Sequence, residues 1–211
     1  MQPEPLTLTD LSRIDFAKQG GLVPQVAQDA RTGEVLMLGY TNAEAVERSL
    51  QTGELWFWSR SRNALWKKGE TSGNTLRVLS LHSDCDADAL LALVEPNGPA
   101  CHTGSRSCFR APPVLPELAD RIEARAQASD EGSSYTARLL SDRNLRLKKL
   151  GEEAVELAVA CADGNAERVA EEAADLVYHL LVACRSAGVS VESVLQVLRD
   201  RQDETATSTP R

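Results

Sequence analysis

Between Asp84 and Cys108 the chain collects side chains that bind metals. It reads Asp84-Cys85-Asp86-Ala87-Asp88, then an apolar run, then Gly98-Pro99-Ala100-Cys101-His102-Thr103-Gly104-Ser105-Arg106-Ser107-Cys108. Three cysteines offer soft thiolates suited to zinc, and three aspartates offer hard oxygens suited to magnesium. Three protein ligands rather than four leave zinc a position for water, the arrangement of a catalytic site. The alternating aspartates also match the opening of an EF-hand loop. That reading fails, because Ala89 stands where the loop needs glycine and the following apolar run reads as a buried element. Free cysteines more often pack as small core residues. Cys101 and Cys108 nevertheless lie among Gly, Pro, Ser and Thr with no apolar face to join, and no C-x-x-C pair marks a zinc finger. A hydrolytic metal site is the expectation.

Upstream, Trp58-Ser59-Arg60-Ser61-Arg62 runs into Trp66-Lys67-Lys68-Gly69-Glu70-Thr71-Ser72-Gly73-Asn74. Glycines, hydroxyls and an amide beside Arg60, Arg62 and Lys68 suit a phosphate cradle, although the spacing is not that of a P-loop. Trp66 is open to stacking on a base, whereas Trp56 is expected in the core.

The second half carries acids at helical spacing. At about 100° per residue, Glu152, Glu153 and Glu156 share one sector with Lys149, and Glu172 and Asp175 share another with Arg168 and His179. Solvated acids paired as Arg168–Glu172 and Asp175–His179 are the ordinary explanation. Here apolar positions flank them: Leu147, Leu150, Ala154, Ala158 and Cys161 on one helix, Val169, Leu176, Leu180 and Ala183 on the other. Buried helices with facing acids are therefore expected, and so many carboxylates repel unless a divalent cation such as Mg²⁺ neutralises them. Cys161 and Cys184 are expected in the core.

These residues need elements to hold them. The chain has 211 residues, 42% hydrophobic, enough for two small domains with cores. A net charge of -8 argues against coating nucleic acid or an anionic membrane. No run approaches the ~20 apolar residues of a membrane span, and the N-terminus lacks signal-peptide features. Five cysteines without a signal favour reduced thiols and a cytoplasmic protein. The spacing predicts a hairpin from residues 22–27 and 34–40, a helix over 43–50 closed by Gly53, and strands over 55–58 and 75–81. Residues 88–94 fit strand or helix. After Ala111-Pro112-Pro113 the composition turns to helix formers, with helices expected over 116–128, 142–162, 165–187 and from 190 to about 202. Residues 129–133 read as a loop, and the tail as frayed. The fold class is thus α+β in two domains, a small β-rich unit over 1–112 and an all-α bundle over 113–211.

W-S-R-S-R-x-x-L-W-x-K-G-E-x-S-G-N, D-C-D-x-D and G-P-A-C-H-T-G-x-x-S-C-F together resemble phosphoribosyl-AMP cyclohydrolase of histidine biosynthesis over most of residues 20–110. The resemblance implies hydrolytic opening of the adenine ring between N1 and C6. It implies a catalytic zinc on Cys85, Cys101 and Cys108, shared between the chains of a homodimer, and Mg²⁺ on Asp84, Asp86 and Asp88. His102 is the expected proton shuttle, with an orienting role as the alternative. Arg60, Arg62, Trp66, Lys68, Glu70, Ser72, Gly73 and Asn74 are expected to bind substrate. E-E-x-x-E and E-x-x-D, with Ser134-Tyr135-Thr136-Ala137-Arg138-Leu139-Leu140, resemble phosphoribosyl-ATP pyrophosphohydrolase over roughly 134–202. That resemblance implies Mg²⁺ on Glu152, Glu153, Glu156, Glu172 and Asp175, with Arg138, Lys148 and Lys149 on the phosphates. Both imply small nucleotide substrates, with neither nucleic acid nor membrane as partner. Two alternatives stay open: a regulatory nucleotide-binding protein, or a helical domain that hydrolyses nucleoside triphosphates in general.

Overall fold

Burial alternates residue by residue along Val23–Asp29, which the computed structural model forms into a strand, β1, with Val23, Gln25, Ala27 and Asp29 turned inward. The structure describes residues 5–128 and 134–207 and divides into two units after Pro113. In the first unit, Asp29 Oδ1 accepts the Arg31 and Thr32 amides at 2.8 and 3.2 Å, turning the chain into β2, Val35–Thr41. Asn42 caps α1, Ala43–Thr52, by accepting the Ala45 amide, and Gly53 closes it in the left-handed conformation. A two-stranded ribbon of β3, Trp56–Ser59, and β4, Ala64–Lys67, follows, then β5, Leu76–Ser83, and β6, Leu90–Pro96.

The four-stranded sheet has the order β2-β1-β6-β5, with β1 and β6 parallel and the other pairs antiparallel. The ambiguous stretch before Val94 is therefore a strand, because β1 and β5 satisfy both of its edges. Phe57 fills the core against Gly39, where an added Cβ would lie 2.4 Å from the ring. Strand alternation then puts Trp56 on the opposite face, contrary to expectation. Its indole donates to Thr52 Oγ1 at 3.1 Å and lies under the Arg48 guanidinium. Trp66 stacks on Phe57 with ring centroids 5.5 Å apart. The four-residue β4 was not foreseen, since its run is too short to show a period.

The second unit is helical: α2, Val114–Gln127; α3, Tyr135–Ser141; α4, Arg143–Asp163; α5, Ala166–Ser186; and α6, Val191–Thr207. Ser134, Asp142 and Asn165 cap α3, α4 and α5 through their side chains, and Gly164 ends α4. The seven-residue α3 escaped the sequence pattern because the cap of α4 follows it at once. Ile122, Leu139, Leu181, Val182 and Val191 form the core. No single helix among the described residues is long and apolar enough to cross a membrane. The expected loop at 129–133 and the tail beyond Thr207 lie outside the described residues.

The expected burial of α4 and α5 does not hold within one chain. Leu147, Ala154, Val155, Ala158, Val159 and Cys161 are exposed on α4, as is Leu180 on α5, and Cys184 is only half-buried. The seam between the two helices covers only part of each circumference, so an apolar stripe need not be an interior one.

Candidate active sites

The loop after β6 is fixed before its cysteines are placed. The Ala100 amide donates to Arg106 O and the Cys101 amide to Ser105 O, each at 3.0 Å, folding Cys101-His102-Thr103-Gly104 into a tight turn. The Cys108 amide donates to Leu36 O at 2.8 Å, and the buried Ser107 hydroxyl to Val35 O at 2.7 Å, fastening the loop to β2. Arg106 pairs with Asp29 and Glu34, both carboxylates nearly inaccessible. Removing Arg106 would leave two buried carboxylates without their cation, which is destabilising. Sequence spacing does not reveal this staple, which spans more than 70 residues.

The turn brings the Cys101 and Cys108 thiols within hydrogen-bond reach of each other. The Thr103 hydroxyl, 3.1 Å from Cys101 Sγ, and the Thr103 backbone lower the Cys101 thiol from its ordinary value, whereas burial raises that of Cys108. His102 Nδ1 stands 3.9 Å from Cys101 Sγ. Lys68 belongs to the same locality. It is 7% exposed, donates to Asn74 O at 3.1 Å, and is pushed down by burial while Cys108 and Cys101 oppose the shift. Gly69 makes this possible, since its φ is +82° and a Cβ would strike the Asn74 backbone at 2.4 Å. Cys85 is exposed in a different loop and does not converge with the other two in one chain.

Asp84, Asp86 and Asp88 do converge, with carboxylate oxygens all within 4.8 Å. Asp84 Oδ1 accepts the Asp88 and Ala89 amides at 3.0 Å. Ala87 adopts φ +60°, a conformation that costs an L-residue roughly 1–2 kcal/mol and here turns Asp86 and Asp88 to one side. Lys18, unrecognised in the sequence, places its ammonium on both Asp86 and Asp88. A positive charge therefore fits there, and the pairing lowers the Asp86 carboxyl.

Around the proposed phosphate cradle, the Arg60 guanidinium lies 3.8 Å over the Tyr40 ring, and Arg62 Nε donates to Ser59 Oγ at 3.3 Å. Ser72 Oγ accepts the Asn74 amide at 3.3 Å, Gly73 has φ +77°, and Glu70 is exposed.

In the helical unit, Glu153 and Glu156 of α4 and Glu172 of α5 bring carboxylate oxygens within 4.8 Å of one another. Two of the five expected acids fall outside that set. Glu152 is held by Lys148 at 3.1 Å and Lys149 at 3.2 Å, and Asp175 is exposed. Glu172, then burial and Glu153, raise the Glu156 carboxyl, the mark of like charges crowded together, with Lys149 opposing the shift. Of the two pairings that solvated acids would make, Arg168–Glu172 is present at 3.4 Å. His179 does not pair with Asp175 but lies 3.8 Å from Glu153 across the helix seam, and burial lowers its imidazole. Arg138 is exposed on α3.

Residues 37–110 match the phosphoribosyl-AMP cyclohydrolase family, and residues 115–202 the phosphoribosyl-ATP pyrophosphohydrolase family. The histidine biosynthesis bifunctional protein HisIE of Bacillus subtilis is 47% identical over 196 residues, 88% of this chain and 94% of its own. The protein of that name from Shewanella oneidensis is 44% identical over 208 residues, 97% of this chain and 98% of its own. That of Escherichia coli is 42% identical over 201 residues, 93% and 98% of the two chains. With both family matches in the order of its two units, and such identity along nearly the whole length, the chain belongs to the HisIE family of bifunctional histidine-biosynthesis proteins.

Proposed function

We propose that the helical unit cleaves phosphoribosyl-ATP to phosphoribosyl-AMP and pyrophosphate, and that the β-rich unit then opens the adenine ring of phosphoribosyl-AMP between N1 and C6. The observation that carries the ring-opening site is the gathering of Cys101, Cys108, His102 and buried Lys68 at one place. Two adjoining thiols, one of them lowered, are fit donors for zinc. Zinc held there would lower the pKa of a bound water from ~15.7 to about 7, supplying a nucleophile at neutral pH. The Lys68 ammonium favours the thiolate forms of both cysteines. His102 is exposed beside Cys101 and is the proposed shuttle, passing a proton from the attacking water to N1 as the N1–C6 bond breaks; orienting Cys101 is its alternative role. Arg60, Arg62, Trp66, Glu70, Ser72, Gly73 and Asn74 are the proposed substrate contacts, and Asp84, Asp86 and Asp88 the proposed Mg²⁺ site, with Lys18 giving way to the cation.

In the helical unit Glu153, Glu156 and Glu172, with Glu152 and Asp175 close by, are the proposed Mg²⁺ ligands. Magnesium there would neutralise phosphate charge and stabilise the leaving pyrophosphate. Lys148 and Lys149, now on Glu152, and Arg138 are the proposed phosphate contacts. The small size of the substrates and the reduced thiols are in keeping with a cytoplasmic enzyme that binds neither nucleic acid nor membrane.

Cys85 stands apart from its fellow donors in one chain, so the zinc site is proposed to form between two copies of a homodimer. Complementation tests this reading. Cys85→Ala and Cys101→Ala chains are each expected to lack ring opening. After subunit exchange half the dimers are mixed and one of their two sites is intact, so about a quarter of the parental activity should return. No return of activity in verified mixed dimers would place the three thiols in one chain.

A further inference from the structure

One buried group in the helical unit has no part in the chemistry above. His179 on α5 is 4% exposed, its imidazole packed edge-on against the rings of Tyr135 and Tyr178 with centroids 5.9 and 5.1 Å away. Its Nε2 stands 3.8 Å from Glu153 Oε1 and 3.5 Å from the Tyr135 hydroxyl. Its Nδ1 is buried without a hydrogen-bond partner.

These contacts select a tautomer. A proton on Nδ1 would leave an N–H donor buried with no acceptor and set the Nε2 lone pair against a carboxylate. A proton on Nε2 gives that carboxylate a donor. The separation from Glu153 is about 1 Å longer than a formed hydrogen bond, a gap that a small carboxylate rotation closes.

Among the described residues, the other cationic side chain paired with Glu153 is Lys149, at 3.4 Å. That ammonium rides on a flexible stem, is half-exposed, and is shared with Glu152. It neutralises charge without fixing an orientation. The imidazole differs, because two aromatic rings hold its plane. Resting on the reading of Glu153, Glu156 and Glu172 as a divalent-cation site, we propose that His179 is the positioning residue of that site. Its Nε2–H fixes the Glu153 carboxylate so that the remaining oxygen faces Glu156 and Glu172. A ligand carboxylate held in this way keeps its geometry when the cation arrives, and loss of such a partner typically costs 10–100-fold in metal affinity, taken here as about that range.

The test separates ring packing from hydrogen bonding. His179→Phe keeps a ring between Tyr135 and Tyr178 but no donor, whereas His179→Gln keeps a donor and gives up the ring. Both are made in full-length protein carrying Asp86→Asn and Asp88→Asn, which silences the other acid cluster. Mn²⁺ is titrated in and its binding read by calorimetry and by loss of the free-ion paramagnetic signal, with circular dichroism checking the fold. His179→Phe is expected to weaken Mn²⁺ binding about 10–100-fold, with His179→Gln within about threefold of the parent. Parental affinity in His179→Phe would overturn the inference, and so would equal weakening in His179→Gln. A parent that binds no Mn²⁺ would overturn the cation reading of the cluster itself, and the inference with it.

Discussion

Cys101→Ala is expected to abolish ring opening, by about 10³-fold or more, while pyrophosphate release continues at the parental rate. The size follows from what a Lewis-acidic metal supplies, several kcal/mol of barrier, at about 1.4 kcal/mol per tenfold. The selectivity follows from placement. Cys101 belongs to a turn after β6, held by Ser105 and Arg106, whereas the acids proposed for the second reaction lie on α4 and α5. The side chain is half-exposed, so a change in stability of the zinc-free protein within about 0.5 kcal/mol is expected. Zinc content and the two products, measured on the same preparation, check this. Zinc retained at the parental stoichiometry would remove Cys101 from the ligand set.

Glu156→Gln is expected to do the reverse: pyrophosphate release falls by about 10²–10³-fold while ring opening of supplied phosphoribosyl-AMP is unchanged. A fold defect is not the expected cause. The Glu156 carboxyl is raised, chiefly by Glu172, so it binds its proton more tightly folded than unfolded. The folded state therefore loses stability as pH rises from the ordinary carboxyl range through the raised value. The amide removes that loss. Without divalent cations at neutral pH, the variant should unfold at no lower temperature than the parent. Thermal unfolding beside a pyrophosphate assay checks both halves, and unchanged pyrophosphate release would take Glu156 out of the site.

Local chemistry was legible where it depends on near neighbours in sequence. Asp84, Asp86 and Asp88 meet because one short loop carries them, and Cys101 and Cys108 because the eight residues from one to the other close on themselves. The helical period placed Glu153 and Glu156 on one side of α4, and Glu172 joins them from α5. Contacts between distant segments were not legible. Lys18 reaches Asp86 across 68 residues, and Arg106 reaches Asp29 across 77. Nothing in either pair of segments marks the other. His179 is the instructive case. Spacing alone offered Asp175 as its partner, but the crossing of α4 and α5 set it against Glu153. Burial was also misjudged from pattern, since Val155 and Val159 extend an apolar stripe on α4 that no described element of the helical unit covers. A period reports which residues share a face, not what lies against it.

Two separate metal chemistries are proposed to act in sequence on one chain. Phosphoribosyl-ATP with Mg²⁺ supplied to the purified protein, before and after selective zinc removal, tests this when pyrophosphate and the ring-opened product are followed separately. Pyrophosphate should continue to appear after zinc removal, while ring opening stops and returns when zinc is restored. Loss of both products together, or ring opening that persists without zinc, would contradict the assignment.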